Sequence, residues 1–268
     1  MLTYGGAGRR AVVFEPTYAL HSHIAAITGT EIVTGGRGVD FAVDADAAVA
    51  LVRATQPSVV FLCSPNNPTG TVEPRETVER LLAVVREMGA LLVVDEAYGE
   101  FAPWSALELV NDDAPLAVVR TYSKVWSLAA VRLGFAVGPA WLIAELEKVL
   151  LPYALSVPTQ LAGTIALDYA PEMQQRVASL VEERGRLFAA LSDIPGLTVV
   201  PSGANFLLVR VHGDAHELCV RVQKQSVMVR DFATRPGVEG CFRVTVGTPT
   251  ENDEFLAALR AALPEVLA

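Results

Sequence analysis

Cysteine is scarce in this 268-residue chain, which has only Cys63, Cys219 and Cys241. An odd number without CxxC spacing excludes a disulfide framework and a cysteine zinc site, and fits a reducing cytoplasm. Long hydrophobic runs are missing as well. Runs such as 58–63 and 90–94 fall far short of the roughly 20 residues that cross a bilayer. Met1 is not followed by a basic and then apolar leader, so no targeting signal and no membrane partner are expected. Positive charge is in deficit, with 21 Lys and Arg against 30 Asp and Glu for a net −9. A chain without a basic field is a poor match for phosphate backbones, which argues against nucleic acid. Repeats, low-complexity tracts and charge blocks are absent too.

Hydrophobic residues make up 51% of the chain and charged residues 19%, which rules out disorder and suggests about two domains or one large α/β domain. In the first half, short β-branched runs at 10–14, 59–63, 90–94 and 116–121 read as strands. Their continuous apolarity predicts burial on both faces, as in a parallel sheet with helices above and below. Between two of them, residues 73–88 carry Val78, Leu81, Leu82 and Val85 at helical spacing, with Pro74 near the first turn and Gly89 just past the end. That is a β-α-β unit. From about Pro158 the texture changes. A long helical pattern at 173–191, an alternating strand at 205–211, a helix near 215–225, a strand at 241–246 and a helix at 252–263 read as a smaller α+β domain. The expected division is therefore 1–157 and 158–268.

Ser64-Pro65-Asn66-Asn67-Pro68-Thr69-Gly70 follows a buried strand and precedes a helix, where α/β sheets present ligand-binding loops. A lone Asn-Pro turn would merely satisfy backbone groups, but a second asparagine between two prolines points to a positioned side-chain amide. The next strand ends in Asp95-Glu96-Ala97-Tyr98. A buried carboxylate there is expensive unless it meets a cation, although Asp95 alone could simply cap the next segment. A third strand ends in Thr121-Tyr122-Ser123-Lys124, and Arg132 precedes a further apolar strand at 133–137. An amide, a carboxylate and an amine thus reach one sheet edge. Pyridoxal 5′-phosphate needs such a set: an amine for its aldehyde, a carboxylate to keep the pyridine nitrogen protonated, and donors for its phenolate oxygen and phosphate.

At these residues the sequence resembles the fold-type I, class I/II pyridoxal-phosphate aminotransferases, and within them the histidinol-phosphate aminotransferases. The motifs are SPNNPTG at 64–70, DEAY at 95–98, RTYSK at 120–124, VRLGF at 131–135 and FRVTVG at 242–247. The resemblance implies an α/β large domain with a mostly parallel sheet, a smaller α+β C-terminal domain and a homodimer. It further implies that Lys124 is the Schiff-base lysine and later the proton carrier. Asp95 would pair with the pyridinium nitrogen, and Asn67 and Tyr98 would donate to the phenolate oxygen. Tyr18 aligns with the aromatic that stacks on the ring. Thr121, Ser123 and Arg132 look like the phosphate-side residues. Arg243 resembles the arginine that receives the α-carboxylate of glutamate, a task its planar fork suits. Arg230 looks like a second anion contact for a phosphorylated substrate, the alternative being a pair with Asp231 or another surface acid.

Two departures from the family pattern stand out. Ala130 replaces a common glycine, adding one methyl that is expected to be tolerated. Relatives also carry an N-terminal arm and a Gly-Ser/Ala-Asp turn that opens a helix under the cofactor phosphate. Met1 to Thr17 contains neither, so a truncated family member is expected, with cofactor affinity and turnover both affected. Two competing readings are a decarboxylase of a phosphorylated amino acid with the same cofactor, similar to threonine-phosphate decarboxylase, and a non-catalytic remnant. Gly6-Ala7-Gly8 precedes a strand instead of opening a helix, so it reads as a turn and not a dinucleotide site. His212 and His216 near Cys219 lack a third ligand at suitable spacing, so no metal is expected. His21 and His23 are expected to line the helix after Tyr18, with the cleft-facing one able to touch substrate.

Overall fold

Leucine and β-branched runs become strands wherever both sheet faces can be covered. In the computed structural model, which describes residues 1–267, they build the larger of two sheets. Its strands are β1 (Arg10–Glu15), β2 (Glu31–Gly36), β3 (Val59–Cys63), β4 (Leu91–Asp95), β5 (Leu116–Thr121) and β6 (Gly134–Val137). They lie in the order β2-β1-β3-β4-β5-β6, all parallel except β6, which runs antiparallel to β5. α1 (Leu20–Ile27) connects β1 to β2, α2 (Ala45–Thr55) crosses from β2 over β1 to β3, and α3 (Arg75–Met88) connects β3 to β4.

Helix α3 turns Val78, Leu81, Leu82 and Val85 into the core and stops where Gly89 takes a left-handed φ of 65°. Pro74 is its N-cap residue, so the helix begins two positions later than the sequence pattern suggested. Together α2 and α3 cover one sheet face, packing on Val60, Leu62, Leu92 and Val94. The opposite face is less fully covered. Val59, Leu91 and Ala117 meet Leu142 of α4 (Ala140–Glu147), and an apolar cavity of about 300 Å³ remains between that face, α1 and α4. The expectation of two-sided burial holds for β1, β3 and β4 but only for the first half of β5, where Val119, Arg120 and Thr121 are half-buried; β6, for which burial was not expected, is open. There Gly134, Phe135 and Ala136 are exposed because the strand is an edge with only β5 beside it. The glycine-rich start is a turn, with the Gly5 N–H donating to the Met1 carbonyl at 2.7 Å and the Gly6 N–H to Thr30 Oγ1 at 2.8 Å.

After α5 (Val157–Leu167) and the long α6 (Ala170–Ser192), a smaller antiparallel sheet forms. It comprises β7 (Leu197–Val199), β8 (Phe206–Val211), β9 (Arg230–Asp231) and β10 (Cys241–Thr245), in the order β7-β8-β10-β9. α6, α7 (Ala215–Lys224) and α8 (Pro249–Ala262) cover it through Leu187, Leu218, Phe255 and Leu259 against Leu207, Val209 and Phe242. α8 starts three residues before the expected 252, because Thr248 and Glu251 form a capping box with Pro249 in the first turn. His212 and His216 turn to different partners, Thr198 and Asp231. No helix among the described residues is long and apolar enough to cross a membrane.

Candidate active site

Parallel pairing aligns strand ends. Cys63 of β3 lies opposite Asp95 of β4, and Asp95 opposite Val119 of β5, so the loops after all three strands emerge along one edge. A cavity of about 470 Å³ opens there. Asn67, Asp95, Tyr98 and Lys124 line it, together with Tyr18 from the segment between β1 and α1. Thr121, Ser123 and Arg132 line it as well.

Within the SPNNPTG loop the two asparagines divide the work. Asn66, fully buried, donates through Nδ2 to the Pro16 carbonyl at 3.0 Å and to Thr69 Oγ1 at 2.9 Å, and its Oδ1 accepts from Thr17 Oγ1 at 2.8 Å. Backbone satisfaction is therefore the task of Asn66, which leaves Asn67 to face the cavity. The loop closes at Gly70, which has φ 81° and whose added Cβ would stand 2.2 Å from Ser202 Oγ. Glycine is required there twice over, by conformation and by the close approach of the second sheet's segment.

Asp95 is 8% exposed. Its Oδ1 accepts from the Ala97 N–H at 3.0 Å, and its Oδ2 lies 2.9 Å from His21 Nε2. The His21 ring stacks on Phe61 with centroids 4.9 Å apart, and its Nδ1 is buried without a partner. So the inward-facing histidine after Tyr18 supports the carboxylate directly. Tyr18 itself is edge-on to His21 at 5.7 Å. Lys124 Nζ lies 5.0 Å from the centre of the Tyr98 ring, which in turn packs edge-on to Phe206. Below them, burial and the nearby Asp95 push the Cys63 thiol well up, so it serves as cavity floor and not as a nucleophile.

Thr121 Oγ1 accepts from the Ser123 N–H at 3.0 Å, fixing the turn that presents Ser123 and Lys124. Arg132 is left-handed, with φ 59°, and donates to the Ala129 carbonyl at 2.8 Å. Ala130 beside it is exposed. Arg243 reaches the site from β10, where its Nη1 donates to Asn67 Oδ1 at 2.7 Å and its guanidinium lies 4.6 Å from the Phe206 ring centre. Its Nε is buried without a partner, and burial lowers its pKa. Arg230 pairs with Arg243 across the sheet and is exposed. Asp231 is held by His216 Nδ1 at 2.6 Å, so it is not the partner of Arg230.

Sequence reasoning missed the His21 contact and the ion pair beneath the RTYSK turn. Arg120 donates to Glu96 Oε2 through Nε at 3.1 Å and Nη2 at 2.7 Å, while Glu96 Oε1 accepts from the Ala106 N–H at 2.6 Å. Only half of each pair was visible in the sequence: Asp95 and Glu96 both stand at the end of β4 as acids in need of a base. The pairing itself depends on which strands are neighbours.

The family model for aminotransferase class I and II matches residues 1–259. The histidinol-phosphate aminotransferase of Streptomyces avermitilis is 42% identical over 260 residues, covering 96% of this chain and 69% of that enzyme. The crystal structure of histidinol-phosphate aminotransferase from Sinorhizobium meliloti in complex with pyridoxal 5′-phosphate superposes with a TM-score of 0.85 at 26% identity, over 97% of this chain and 72% of that one. The histidinol-phosphate aminotransferase from Clostridium acetobutylicum has the same fold, with a TM-score of 0.90 at 20% identity, covering 96% of this chain and 79% of that one.

Proposed function

Since the chain belongs to the pyridoxal 5′-phosphate-dependent class I and II aminotransferase family, we propose that it moves an amino group between glutamate or 2-oxoglutarate and histidinol phosphate or imidazole acetol phosphate, or a similar aromatic pair. The observation that carries this reading is the single cavity shared by Asp95, Asn67, Tyr98, Ser123, Lys124 and Arg132. Its volume is within the range of small-molecule sites, and its lining offers a carboxylate, an amine and hydroxyl, amide and guanidinium donors of the kinds the cofactor calls for. When bound, the cofactor supplies an aldehyde that bonds covalently to an amine and a protonated pyridine ring that draws electrons from the substrate α-carbon.

The remaining work falls to the chain's own groups. Lys124 would hold the cofactor through its aldehyde, and its Nζ would carry a proton at the substrate α-carbon. Asp95, oriented by His21 and the Ala97 N–H, keeps the ring nitrogen protonated. Asn67 and Tyr98 donate to the phenolate oxygen, and Tyr18 covers the ring. Thr121, Ser123 and Arg132 hold the phosphate. Arg243, steered by Asn67, receives the glutamate α-carboxylate, and Arg230 beside it on the sheet takes the phosphate of the second substrate.

The division into a cofactor-binding part at 1–157 and a smaller part at 158–268 belongs to the same proposal, as does a cytoplasmic homodimer. Three buried, free thiols support a reducing compartment. An exposed stretch at 149–167 without a single Asp, Glu, Lys or Arg supports a second copy as neighbour.

The test is a spectroscopic titration of the full chain with pyridoxal 5′-phosphate. The expected result is a yellow protein whose absorbance shifts on adding glutamate and a colourless Lys124→Ala variant. A Lys124-intact protein that stays colourless, or one that releases carbon dioxide without an oxo-acid acceptor, overturns the reading.

A further inference from the structure

A second cleft, of about 850 Å³, opens between the two sheets on the side of α6 and the short turn Gly99–Phe101. Its walls are largely apolar, with Val39, Phe41, Val72, Val181 and Val199 among them, but three charged side chains, Arg184, Glu100 and Asp40, also line it. Arg184 projects from α6, and its Nη1 donates to the carbonyls of Phe101 at 3.2 Å and Ala204 at 2.8 Å. That leaves the Nε–Nη2 edge, the side of a guanidinium that takes a carboxylate bidentately, without a protein partner. Desolvation by burial lowers its pKa.

Glu100 lines the same cleft. Its Oε2 is buried with no hydrogen-bond partner, and the nearest contact to a cation, Arg120 Nη1, is a long 3.6 Å from an oxygen of its carboxylate. Burial pushes its carboxyl up. Thr71 Oγ1, also on the cleft wall, is a second buried and unpartnered polar atom. The Glu100 side chain keeps 17% exposure, so a cleft-facing part of an acid with only one long cation contact stands near the free guanidinium edge of Arg184, a pairing that suits a ligand carrying both charges.

We propose that this cleft binds a small apolar zwitterion, in chemical class an apolar α-amino acid. Its carboxylate takes the free edge of Arg184, its ammonium takes Glu100, and its side chain lies among the valines and Phe41. The site is separate from the catalytic cavity and does not depend on the proposed reaction.

Calorimetric titration of the full chain with L-phenylalanine tests this. Expected is saturable binding, with a Kd of about 1 mM or tighter, that survives Arg243→Gln and weakens about tenfold in Arg184→Gln. Because Arg184 also ties two carbonyls, Val181→Trp provides a second variant that fills the cleft and leaves Arg184 in place; it is expected to abolish the same binding. 3-Phenylpropanoate and phenethylamine, each lacking one charge, are expected to bind more weakly. Binding that disappears in Arg243→Gln, binding unchanged in Val181→Trp, or no saturable binding at all overturns the proposal.

Discussion

At the residue scale, the carboxylate expected to meet a ring nitrogen depends on a histidine that no motif marks. His21 lies 2.9 Å from Asp95 and stacks on Phe61, so His21→Ala removes a buried donor and a packed ring together. The expected loss is about 1–3 kcal/mol in urea unfolding, with weaker cofactor retention on gel filtration. Arg243→Lys keeps the charge but loses the planar fork. Glutamate is then expected to convert the cofactor only at concentrations roughly tenfold higher or more, while absorbance before glutamate is added stays unchanged. Glu100 gives a prediction in pH. Its carboxyl is pushed up by burial, so the folded state favours the protonated form and loses stability as pH rises past the ordinary glutamate value of 4.5 and through the raised one. Glu100→Gln is therefore expected to melt higher than the parent at pH 7, with the difference vanishing below pH 4.5. Asp95, Asn67 and Lys124 were legible because each closes a strand in a recognisable motif. His21 was not, since a histidine on a helix announces no partner until the sheet places Asp95 beside it.

At the element scale, the strands that carry the cavity were readable to within a residue because they are apolar on both faces and end in polar motifs. Elements without that contrast escaped notice. β2 reads EIVTGG, with two glycines and a half-exposed face, and α2 is an alanine-rich helix whose clearest mark is the Asp44 side chain accepting from the Ala47 N–H. α5 is apolar nearly all round and so lacks a helical stripe. The SPNNPTG loop yields a sharper expectation. Gly70→Ala would place a Cβ 2.2 Å from Ser202 Oγ at a φ of 81°, which needs movement of the second sheet's segment. It is expected to lose about 2 kcal/mol or more of stability and to weaken cofactor binding through Asn67, read by thermal melting and by absorbance titration. Gly89→Ala, also left-handed but with open space around it, is expected to lose only about 1 kcal/mol, so comparing the pair separates contact from conformation.

At the scale of the whole molecule, a mostly parallel sheet supplies the carboxylate, amide and amine, and a smaller antiparallel sheet brings Arg243 to Asn67, with Arg230 opposite it in the strand register. The change in sequence texture near Pro158 showed that two kinds of layer were present, but not that Arg243 would reach Asn67 across 176 positions. The uncharged segment 149–167 exposes Leu151, Tyr153 and Val157 at 75%, 99% and 76%, and α5 sits behind the Arg132 loop through Thr159 Oγ1 donating to the Val131 carbonyl at 3.2 Å. Leu151→Glu combined with Leu161→Glu is expected to turn a dimer into a monomer in light scattering and to lower cofactor affinity with it. All these expectations rest on one covalent assignment. Incubating the full chain with pyridoxal 5′-phosphate, reducing with borohydride and mapping the modified peptide tests it most directly. The expected result is stable modification of Lys124 alone, and none in a sample without cofactor. Modification at another lysine, or none in a folded, cofactor-treated protein, would contradict the account.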